Sequence, residues 1–331
     1  MSFILHEFLR TVFFILQIKN KPINYFLYST IIMSKQFKLE INEALLLARP
    51  NLKPKSLVSY VSTLSNIPKK MGYEEPGIEF FSDYVDEILE YLDDKNPSQR
   101  KSVLSPLVVL TDLDKYKELM STDIQKHDEH EDKQIMNPKQ EKNWISWPDI
   151  VSFYEALKNK AKYSMKTKEN NMTLLKQYVL TSMYIHFPPR RIMDYASFKI
   201  RNYDANADNY VNLKKGVMVF NKYKTFSKYG RQEFKIDKTL KGILSAWGKI
   251  NDTDYLLLEE KTIQQVTQML QKTFGPTGKS VSANQLRHSY ITDHYGSLTE
   301  MPSIIEMEEL SLMMGHSTSV AMRYIKKVQQ K

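Results

Sequence analysis

The chain is organised around three short segments near its C-terminus: Asn284-Gln-Leu-Arg287-His288-Ser-Tyr-Ile-Thr292, Gly315-His316-Ser317 and Arg323-Tyr324. They bring arginine, histidine and tyrosine side chains within a few turns of predicted helix. Apolar residues lie between them at Ile304-Ile305 and from Leu310 to Met314, and we expect both runs to pack these turns against a core. A tyrosine that cleaves a phosphodiester needs a phenol nucleophile, cations on the non-bridging oxygens and a proton donor for the leaving oxygen. These segments supply most of those groups.

The composition limits the classes of function. The chain has 331 residues, which is long enough for two domains with separate cores. The 47 Lys and Arg residues exceed the 38 Asp and Glu residues, so the formal net charge of +9 favours a polyanionic partner such as nucleic acid. The absence of cysteine excludes disulfides, thiolate nucleophiles and cysteine-based metal sites. It also fits a reducing, intracellular compartment.

The first 32 residues are apolar and aromatic, unlike the rest of the chain. A membrane-spanning helix needs about 20 apolar residues in a row, and charged or polar residues interrupt every such window here, namely His6, Glu7, Arg10, Lys19, Asn20 and Lys21. A signal peptide is also disfavoured, since no small-residue cleavage site follows the apolar run. We therefore expect neither membrane association nor secretion. Because Met33 begins an ordinary soluble sequence, we interpret residues 1–36 as an N-terminal extension and hypothesise that translation starts at Met33.

Helical periodicity predicts a bundle of helices over residues 37–120. Its turns and helix starts carry basic residues that either touch phosphates or form a solvated face: Lys53, Lys55, Lys69, Lys70, Arg100 and Lys101. Residues 121–143 are nearly all polar and are predicted to form a flexible linker. The acidic run from His127 to Asp132 contains two histidines three residues apart, but solvated side chains are favoured there over a metal site.

A second domain is predicted over residues 144–331. Helical patterns give way to three short strands at Tyr210–Leu213, Val217–Asn221 and Gln232–Ile236, after which helices resume from Leu240. The sequence therefore predicts a mainly α fold with a small antiparallel β-sheet. The first domain is expected to be all helical, and the second to be α+β.

Four separated signals occur in one order along this second half. Arg191 starts a helix with Asp194 three residues on, Lys224 follows a strand, Arg287 lies in Leu-Arg-His-Ser, and His316 in Met-Gly-His-Ser precedes Tyr324 by eight residues. This order resembles the pattern of the tyrosine recombinase and integrase family, over about residues 144–326. The helical N-terminal half is similar in outline to the core-binding, DNA-clamping domain of that family. Each signal alone is weak, and their joint order carries the resemblance.

The resemblance implies a role for each residue. Tyr324 would attack the scissile phosphate and form a 3′-phosphotyrosine, while Arg191 and Arg287 would bind the non-bridging oxygens. Lys224 would protonate the leaving 5′ oxygen, and His316 would either hydrogen-bond the phosphate or assist the tyrosine. Because the covalent link keeps the phosphodiester energy, the reaction implied needs no metal, ATP or other cofactor.

The sequence departs from the family pattern in two places. Asn284 stands where a histidine is usual, and since an amide does not transfer protons near neutral pH, we expect it to orient the phosphate. The spacing from His316 to Tyr324 is one residue shorter than is common. His288 is expected to be a buried structural residue. Arg190 is the alternative to Arg191 as the first arginine.

The reading that follows from the resemblance is a site-specific recombinase or integrase, as found in mobile elements and large DNA viruses. Its expected partners are double-stranded DNA with inverted repeats and three further copies of the chain at synapsis. Two alternatives stay open: a type IB topoisomerase with a similar site, and a degenerate relative that only binds DNA. The target sequence, the host, and the choice between integration, excision and resolution are not legible in the residues.

Overall fold

The computed structural model describes residues 25–74, 76–298, 300 and 302–327, with side chains described from Lys35 onward. It is mostly helical with one three-stranded antiparallel sheet, so the predicted fold class is confirmed. The chain divides into two compact units between His130 and Glu131. Most of the N-terminal extension inferred from the sequence lies outside the described residues, but the first helix already begins at Tyr25.

The first unit is a helical bundle with its own apolar core. Its helices are α1 (Tyr25–Ala48), α2 (Pro54–Met71), α3 (Phe80–Asp83), α4 (Val85–Asp93), α5 (Pro97–Thr111) and α6 (Asp114–Asp132). Local sequence sets several of their ends. Gly72 closes α2 with a φ of 87°, a conformation that glycine adopts without steric penalty. Asn96 and Gln99 form a capping box at the start of α5, where Pro97 occupies the first turn.

The structure differs from the expected flexible linker over 121–143. Most of that segment is helical, since α6 continues to Asp132 and α7 covers Pro138–Asn143. The polar sequence of α6 is held to α5 by an ion pair in which Arg100 Nε and Nη2 donate to the two carboxylate oxygens of Asp123 at 2.8 and 2.6 Å. The Asp123 side chain is fully buried. Arg100, a candidate phosphate contact in the sequence, is therefore engaged inside its own unit.

The second unit is built around a buried helix. Its elements after α7 are α8 (Trp147–Lys166), α9 (Met172–Ile185), α10 (Ile192–Ala196), β1 (Tyr210–Asn212), β2 (Val217–Phe220), α11 (Phe226–Tyr229), β3 (Gln232–Lys235), α12 (Lys238–Ile250), α13 (Ile263–Phe274), a 3₁₀ turn (Gly275–Thr277), α14 (Ala283–Gly296), α15 (Ile304–Met313) and α16 (Thr318–Tyr324). Every residue of α9 from Tyr178 to Tyr184 is buried, and α8, α12 and α13 pack around it. A helix that is apolar on most sides belongs in a core.

The sheet lies where the sequence predicts it, with strands one residue shorter at their C-terminal ends. The strand order is β1-β2-β3, and Tyr210 pairs with Val219 while Met218 pairs with Phe234. All four residues of β2 are buried, as expected of a central strand. The connection from β2 to β3 contains α11, so it is longer than a simple hairpin turn.

One expectation about packing is wrong. Ile304 and Ile305, expected to anchor the C-terminal turns to a core, are 70% and 68% exposed. Leu310 and Met314 are buried as expected and form a small core with Ile291 and Ala321. The pair of isoleucines starts α15, whose first turn extends away from this cluster.

Two kinds of feature are absent from the described residues. None of the helices there has an apolar run of the length that a membrane span needs. Over the same residues, no group of three or more His, Cys, Asp or Glu side chains is placed to hold a metal ion. The acidic run from His127 to Asp132 lies in the last turns of α6.

We predict that Asp123→Ala destabilises the first unit by about 2 kcal/mol, because it leaves the mostly buried Arg100 guanidinium without its carboxylate. Hydrogen exchange of the α5 and α6 amides measures this locally. Asp86→Ala is the matched control: it breaks the pair of Asp86 with Lys115, in which both side chains are more than half exposed, and should change the exchange far less. Equal effects of the two substitutions would contradict the assigned role of the buried pair.

Candidate active site

Three successive backbone carbonyls at the end of α15 each accept a hydrogen bond from a different arginine. Arg190 Nη1 donates to Met313 O at 2.7 Å, Arg287 Nη1 to Met314 O at 3.0 Å, and Arg191 Nη1 to Gly315 O at 2.5 Å. The last carbonyls of a helix lack partners within it and carry partial negative charge. Cationic donors satisfy both needs. This turn therefore gathers arginines from two distant parts of the sequence.

Arg190, rather than Arg191, pairs with Asp194. The Arg190 side chain is fully buried, its Nε donates to Asp194 Oδ2 at 2.7 Å, and its Nη2 donates to Gln232 Oε1 at 3.0 Å. Its guanidinium carbon lies 4.0 Å from the centroid of the Phe220 ring. All three nitrogens of this side chain are thus engaged within the protein. Arg190 is a structural cation, and Arg191 is the half-buried one with donors to spare.

Gly315 is the residue that this packing requires at the turn. Its φ of +72° lies in the left-handed region. A Cβ atom there would lie 2.9 Å from Arg190 Nη2 and 3.3 Å from Arg190 Cζ. The turn and the buried arginine are therefore fitted to each other.

Arg287 presents an unused pair of donors. Its Nη1 is shared by the carbonyls of Pro189 and Met314. Nε and Nη2 are buried and make no hydrogen bond of regular geometry, although the Tyr324 phenol lies close enough to raise the pKa of the guanidinium. Nε and Nη2 form the edge of the guanidinium that binds a carboxylate or phosphate through two parallel hydrogen bonds. A buried charged donor without a partner is unfavourable, and burial lowers the pKa of Arg287. An anion at this edge would relieve that penalty.

His316 is buried beside these arginines and is neutral at physiological pH. Burial, reinforced by the neighbouring positive charge of Arg287, lowers the pKa of His316 to about 3. Its Nδ1 lies 3.1 Å from Ser317 O, and because a carbonyl only accepts, Nδ1 carries the proton. Nε2 is buried with no hydrogen-bond partner and has a free lone pair. The histidine can therefore accept a proton at Nε2.

Tyr324 ends α16 and lies against both residues. Its ring is stacked on that of His316 with centroids 5.4 Å apart, and the guanidinium carbon of Arg287 is 4.7 Å from its centroid. Two further contacts hold this part of the chain in place. His288 Nδ1 donates to Tyr324 O at 2.8 Å, and the buried Lys326 Nζ donates to Glu131 Oε2 at 2.9 Å. The phenol is thus placed by contacts made by its own backbone and by the residues that follow it.

Lys224 lies in the connection between β2 and β3, before α11. It is exposed and makes no hydrogen bond or ion pair with the described residues. The next residue ties this connection to the arginine turn, since Thr225 Oγ1 donates to Gly315 O at 3.1 Å. Arg191 binds the same oxygen, so the β2–β3 connection that carries Lys224 and the Arg191 side chain are both held at Gly315 O.

Asn284 is exposed on α14, and its amide nitrogen lies 3.4 Å from His288 Nε2. Gln140 Nε2 approaches the same ring nitrogen at 3.3 Å. Burial lowers the pKa of His288 to about 4, so the ring is neutral and Nε2 accepts from these amides. Asn284 therefore contacts the histidine that binds the Tyr324 carbonyl.

The turn carries a clear electrostatic bias toward an anion. Arg190, Arg191 and Arg287 all influence the buried carboxyl of Asp194, and His316 adds no charge. Three cations against one carboxyl leave an excess of at least two positive charges, whichever protonation state Asp194 has. In a site shielded from water such a field is strong.

The structure thus brings together four of the six residues singled out in the sequence: Arg191, Arg287, His316 and Tyr324. Lys224 is connected to them through Thr225, and Asn284 through His288. Sequence reasoning named Arg190 only as an alternative to Arg191, and it expected His288 to be buried without finding its contact with Tyr324. The spacing of Arg190 and Asp194 by four residues on one helix face was the available signal for the first. No local pattern marks a histidine that reaches the carbonyl of a residue 36 positions away.

No family model and no curated protein sequence matches this chain. Among solved structures, the chain is similar to a crystal structure of XerA recombinase over 89% of this chain and 94% of that chain, with 11% sequence identity and a TM-score of 0.41. A likeness of that size carries no argument about activity. The function has to be inferred from the site and its motifs.

We predict that Gly315→Ala destabilises the protein more than Gly278→Ala, by at least about 1 kcal/mol. Both glycines have a φ of +72°, so both substitutions carry the same backbone penalty. Only Gly315 has Arg190 in the place of the new methyl group, whereas the space at Gly278 is open. Urea unfolding of both full-length variants measures the difference. Equal destabilisation would contradict the close fit between the turn and Arg190.

Proposed function

We propose that the chain is a tyrosine-type DNA strand transferase, a site-specific recombinase or integrase that cuts DNA through a 3′-phosphotyrosine on Tyr324. The observation that carries the proposal is the convergence on one turn of an arginine with a buried, unpaired donor edge, a neutral histidine and a tyrosine. Arg287, His316 and Tyr324 meet there within ring-contact distances. Their order in the chain is the one that the sequence shares with this family.

The anion to be bound is a phosphodiester. The Nε and Nη2 donors of Arg287 match the spacing of two non-bridging oxygens, and Arg191, which binds Gly315 O, adds a second guanidinium. Charge accumulates on these oxygens as a fifth oxygen bonds to phosphorus. Fixed cations in a buried site stabilise that charge without reorganising. Because Nε and Nη2 of Arg287 are buried, a phosphate reaches them only if a neighbouring group moves, and we assign this movement to the Tyr324 ring, which contacts the guanidinium.

His316 receives the proton of the nucleophile in this mechanism. Its protonated Nδ1 faces a carbonyl, so only Nε2 is available, and that atom accepts rather than donates. Of the two roles left open by the sequence, accepting the phenol proton fits this tautomer. A bound phosphate adds negative charge beside the ring and raises its basicity. The tyrosyl oxygen then bonds to phosphorus as the bond to the 5′ oxygen breaks.

Lys224 donates the proton that the leaving 5′ oxygen needs. It is a free ammonium on a loop whose base is fixed at Gly315 O through Thr225. Asn284 supports the nucleophile indirectly, through His288 and the Tyr324 carbonyl. These assignments account for all six residues of the sequence-derived site. The step conserves a phosphate ester bond, so rejoining is the same reaction in reverse and consumes no nucleotide.

The substrate proposed is double-stranded DNA with inverted repeats, cut within a tetramer of the chain. The net charge of +9 supports a nucleic-acid partner. In the first unit, five lysines are exposed and are the candidate phosphate contacts, now without Arg100: Lys53, Lys55, Lys69, Lys70 and Lys101. We assign the first unit to DNA clamping and the second to catalysis.

We predict that Tyr324→Phe abolishes covalent attachment to DNA while DNA binding is unchanged, because only the nucleophilic oxygen is lost. Wild type and variant are mixed with sheared genomic DNA in EDTA, washed under denaturing conditions, and the retained DNA is sequenced. Tyr163→Phe is the control, since that side chain is 66% exposed and lies outside the site.

Each outcome of the capture experiment decides between the readings. Reads that accumulate at one inverted-repeat sequence support a site-specific recombinase, and scattered reads support a topoisomerase. Covalent capture by Tyr324→Phe would refute the nucleophile. If the wild type binds DNA but captures none, the protein is a DNA-binding relative without strand transfer.

We predict that Lys224→Ala slows cleavage by about 10²- to 10⁴-fold, the usual contribution of a general acid. A substrate with sulfur in place of the bridging 5′ oxygen should restore most of the rate, because a thiolate leaves without being protonated. Lys222→Ala is the matched control, since that exposed lysine on the same loop pairs with Asp208. If the sulfur substrate fails to rescue Lys224→Ala, the lysine is not the acid.

A further inference from the structure

Helix α15 exposes an apolar and acidic ridge that nothing in the described chain covers. Ile304 and Ile305 are 70% and 68% exposed, and Glu308 and Glu309 lie one helical turn further along. Residues four apart lie on the same face, so each isoleucine is followed on its face by one glutamate. Neither glutamate has a hydrogen bond or ion pair among the described residues. We call these four residues the α15 ridge.

A groove that is also apolar, but is bordered by positive charge, lies elsewhere on the same unit between α8, α9 and α12. Its volume is about 310 Å³, and apolar side chains line it, among them Met165, Leu175, Ile243 and Trp247. Lys162 and Lys238 lie at its rim, both exposed and without partners among the described residues. We call this the lysine-rimmed groove. Its volume is at the lower end of the roughly 300–1,000 Å³ of small-molecule sites, which suits one or two side chains of a partner.

The groove selects its occupant by two properties. The apolar lining favours branched aliphatic side chains, and the free ammonium groups at the rim favour carboxylates next to them. DNA offers phosphates but no apolar group for the lining. The α15 ridge has both required properties.

We propose that the α15 ridge of one copy of this chain docks into the lysine-rimmed groove of a second copy. No lining residue of the groove belongs to α15, so a copy does not fill its own groove. Ile304 and Ile305 enter the apolar groove, and Glu308 and Glu309 meet Lys162 and Lys238. The contact accounts for two exposed isoleucines that otherwise face water.

The contact is heterologous, because it joins different surfaces of the two copies. Each copy keeps one free ridge and one free groove, so further copies can add in a chain or close into a ring. The ridge precedes α16, the helix that carries Tyr324, by a short turn. The assembly forms without DNA and without strand cleavage, so it is separable from the proposed activity.

The test measures mass in solution for the full chain without DNA, by sedimentation velocity over a series of protein concentrations. The ridge variant is Ile304→Ser with Ile305→Ser, and the groove variant is Lys162→Glu with Lys238→Glu. The control is Lys214→Glu with Lys215→Glu, which makes the same charge change at exposed lysines in the β1–β2 turn. All of these side chains are exposed, so the substitutions leave the cores intact.

We predict that wild type and control associate as concentration rises, and that the ridge and groove variants each bind themselves at least about tenfold more weakly. An equimolar mixture of the two variants should form dimers and nothing larger, because the mixture contains one intact ridge and one intact groove per pair. Tyr324→Phe should associate like wild type, which keeps this result independent of the cleavage assay.

Three outcomes would overturn the proposal. A wild type that stays monomeric at all concentrations removes the contact. A groove variant that associates like wild type, while the ridge variant does not, means that the ridge binds another ridge or another surface. A mixture of variants that stays monomeric shows that the two surfaces do not bind each other.

Discussion

The end of α15 depends on positive charge. The carbonyls of Met313, Met314 and Gly315 accept hydrogen bonds from Arg190, Arg287 and Arg191 in turn. A helix C-terminus is a natural place for cations because its last carbonyls are unpaired and its dipole is negative there. Because the three arginines bind three consecutive carbonyl groups, they also fix the register of the turn. A shift by one residue would exchange all three partners.

Arg190 makes this arrangement possible although it has no donor left for a ligand. Its guanidinium joins Asp194 at the start of α10, Gln232 in β3 and Met313 at the end of α15. Burying a charge is unfavourable unless each polar atom is paired, and here each nitrogen is. The helix start, the sheet and the turn are therefore held to one another by a single side chain. Arg287 and His316 flank this turn, so the contacts of Arg190 also determine where these two residues lie.

The two histidines show how burial separates roles. Both are neutral because burial lowers their pKa values, to about 4 for His288 and about 3 for His316. His288 donates its N–H to the Tyr324 carbonyl and accepts hydrogen bonds from amides at its other nitrogen, so it positions the tyrosine. His316 uses only its N–H in a hydrogen bond, and the lone pair on Nε2 remains available to accept a proton. The site therefore offers three groups for chemistry: the lone pair on His316 Nε2, the unpaired Nε and Nη2 edge of Arg287, and the Tyr324 phenol.

The sequence predicted the mainly α fold and the three strands, because the periodicity of apolar residues is a local signal. It also predicted that Arg191, Arg287, His316 and Tyr324 meet, because their motifs occur in a recognisable order along the chain. It could not assign Asp194 to Arg190 rather than Arg191, since two adjacent arginines are equivalent until packing buries one. It placed Ile304 and Ile305 in a core, because apolar residues at helical spacing give no sign of whether a partner faces them within the chain. The polar α6 looked like a linker, since the Arg100–Asp123 pair that holds it joins residues 23 apart.

The most direct test of the account is to identify the residue that carries DNA after capture. Wild-type protein linked to DNA is digested with nuclease and then trypsin, and the peptides are sequenced by mass spectrometry. The account predicts a nucleotide joined through its 3′ phosphate to the tyrosine of the peptide Tyr324-Ile-Lys326. A nucleotide on any other residue, or one joined through its 5′ phosphate, would contradict it.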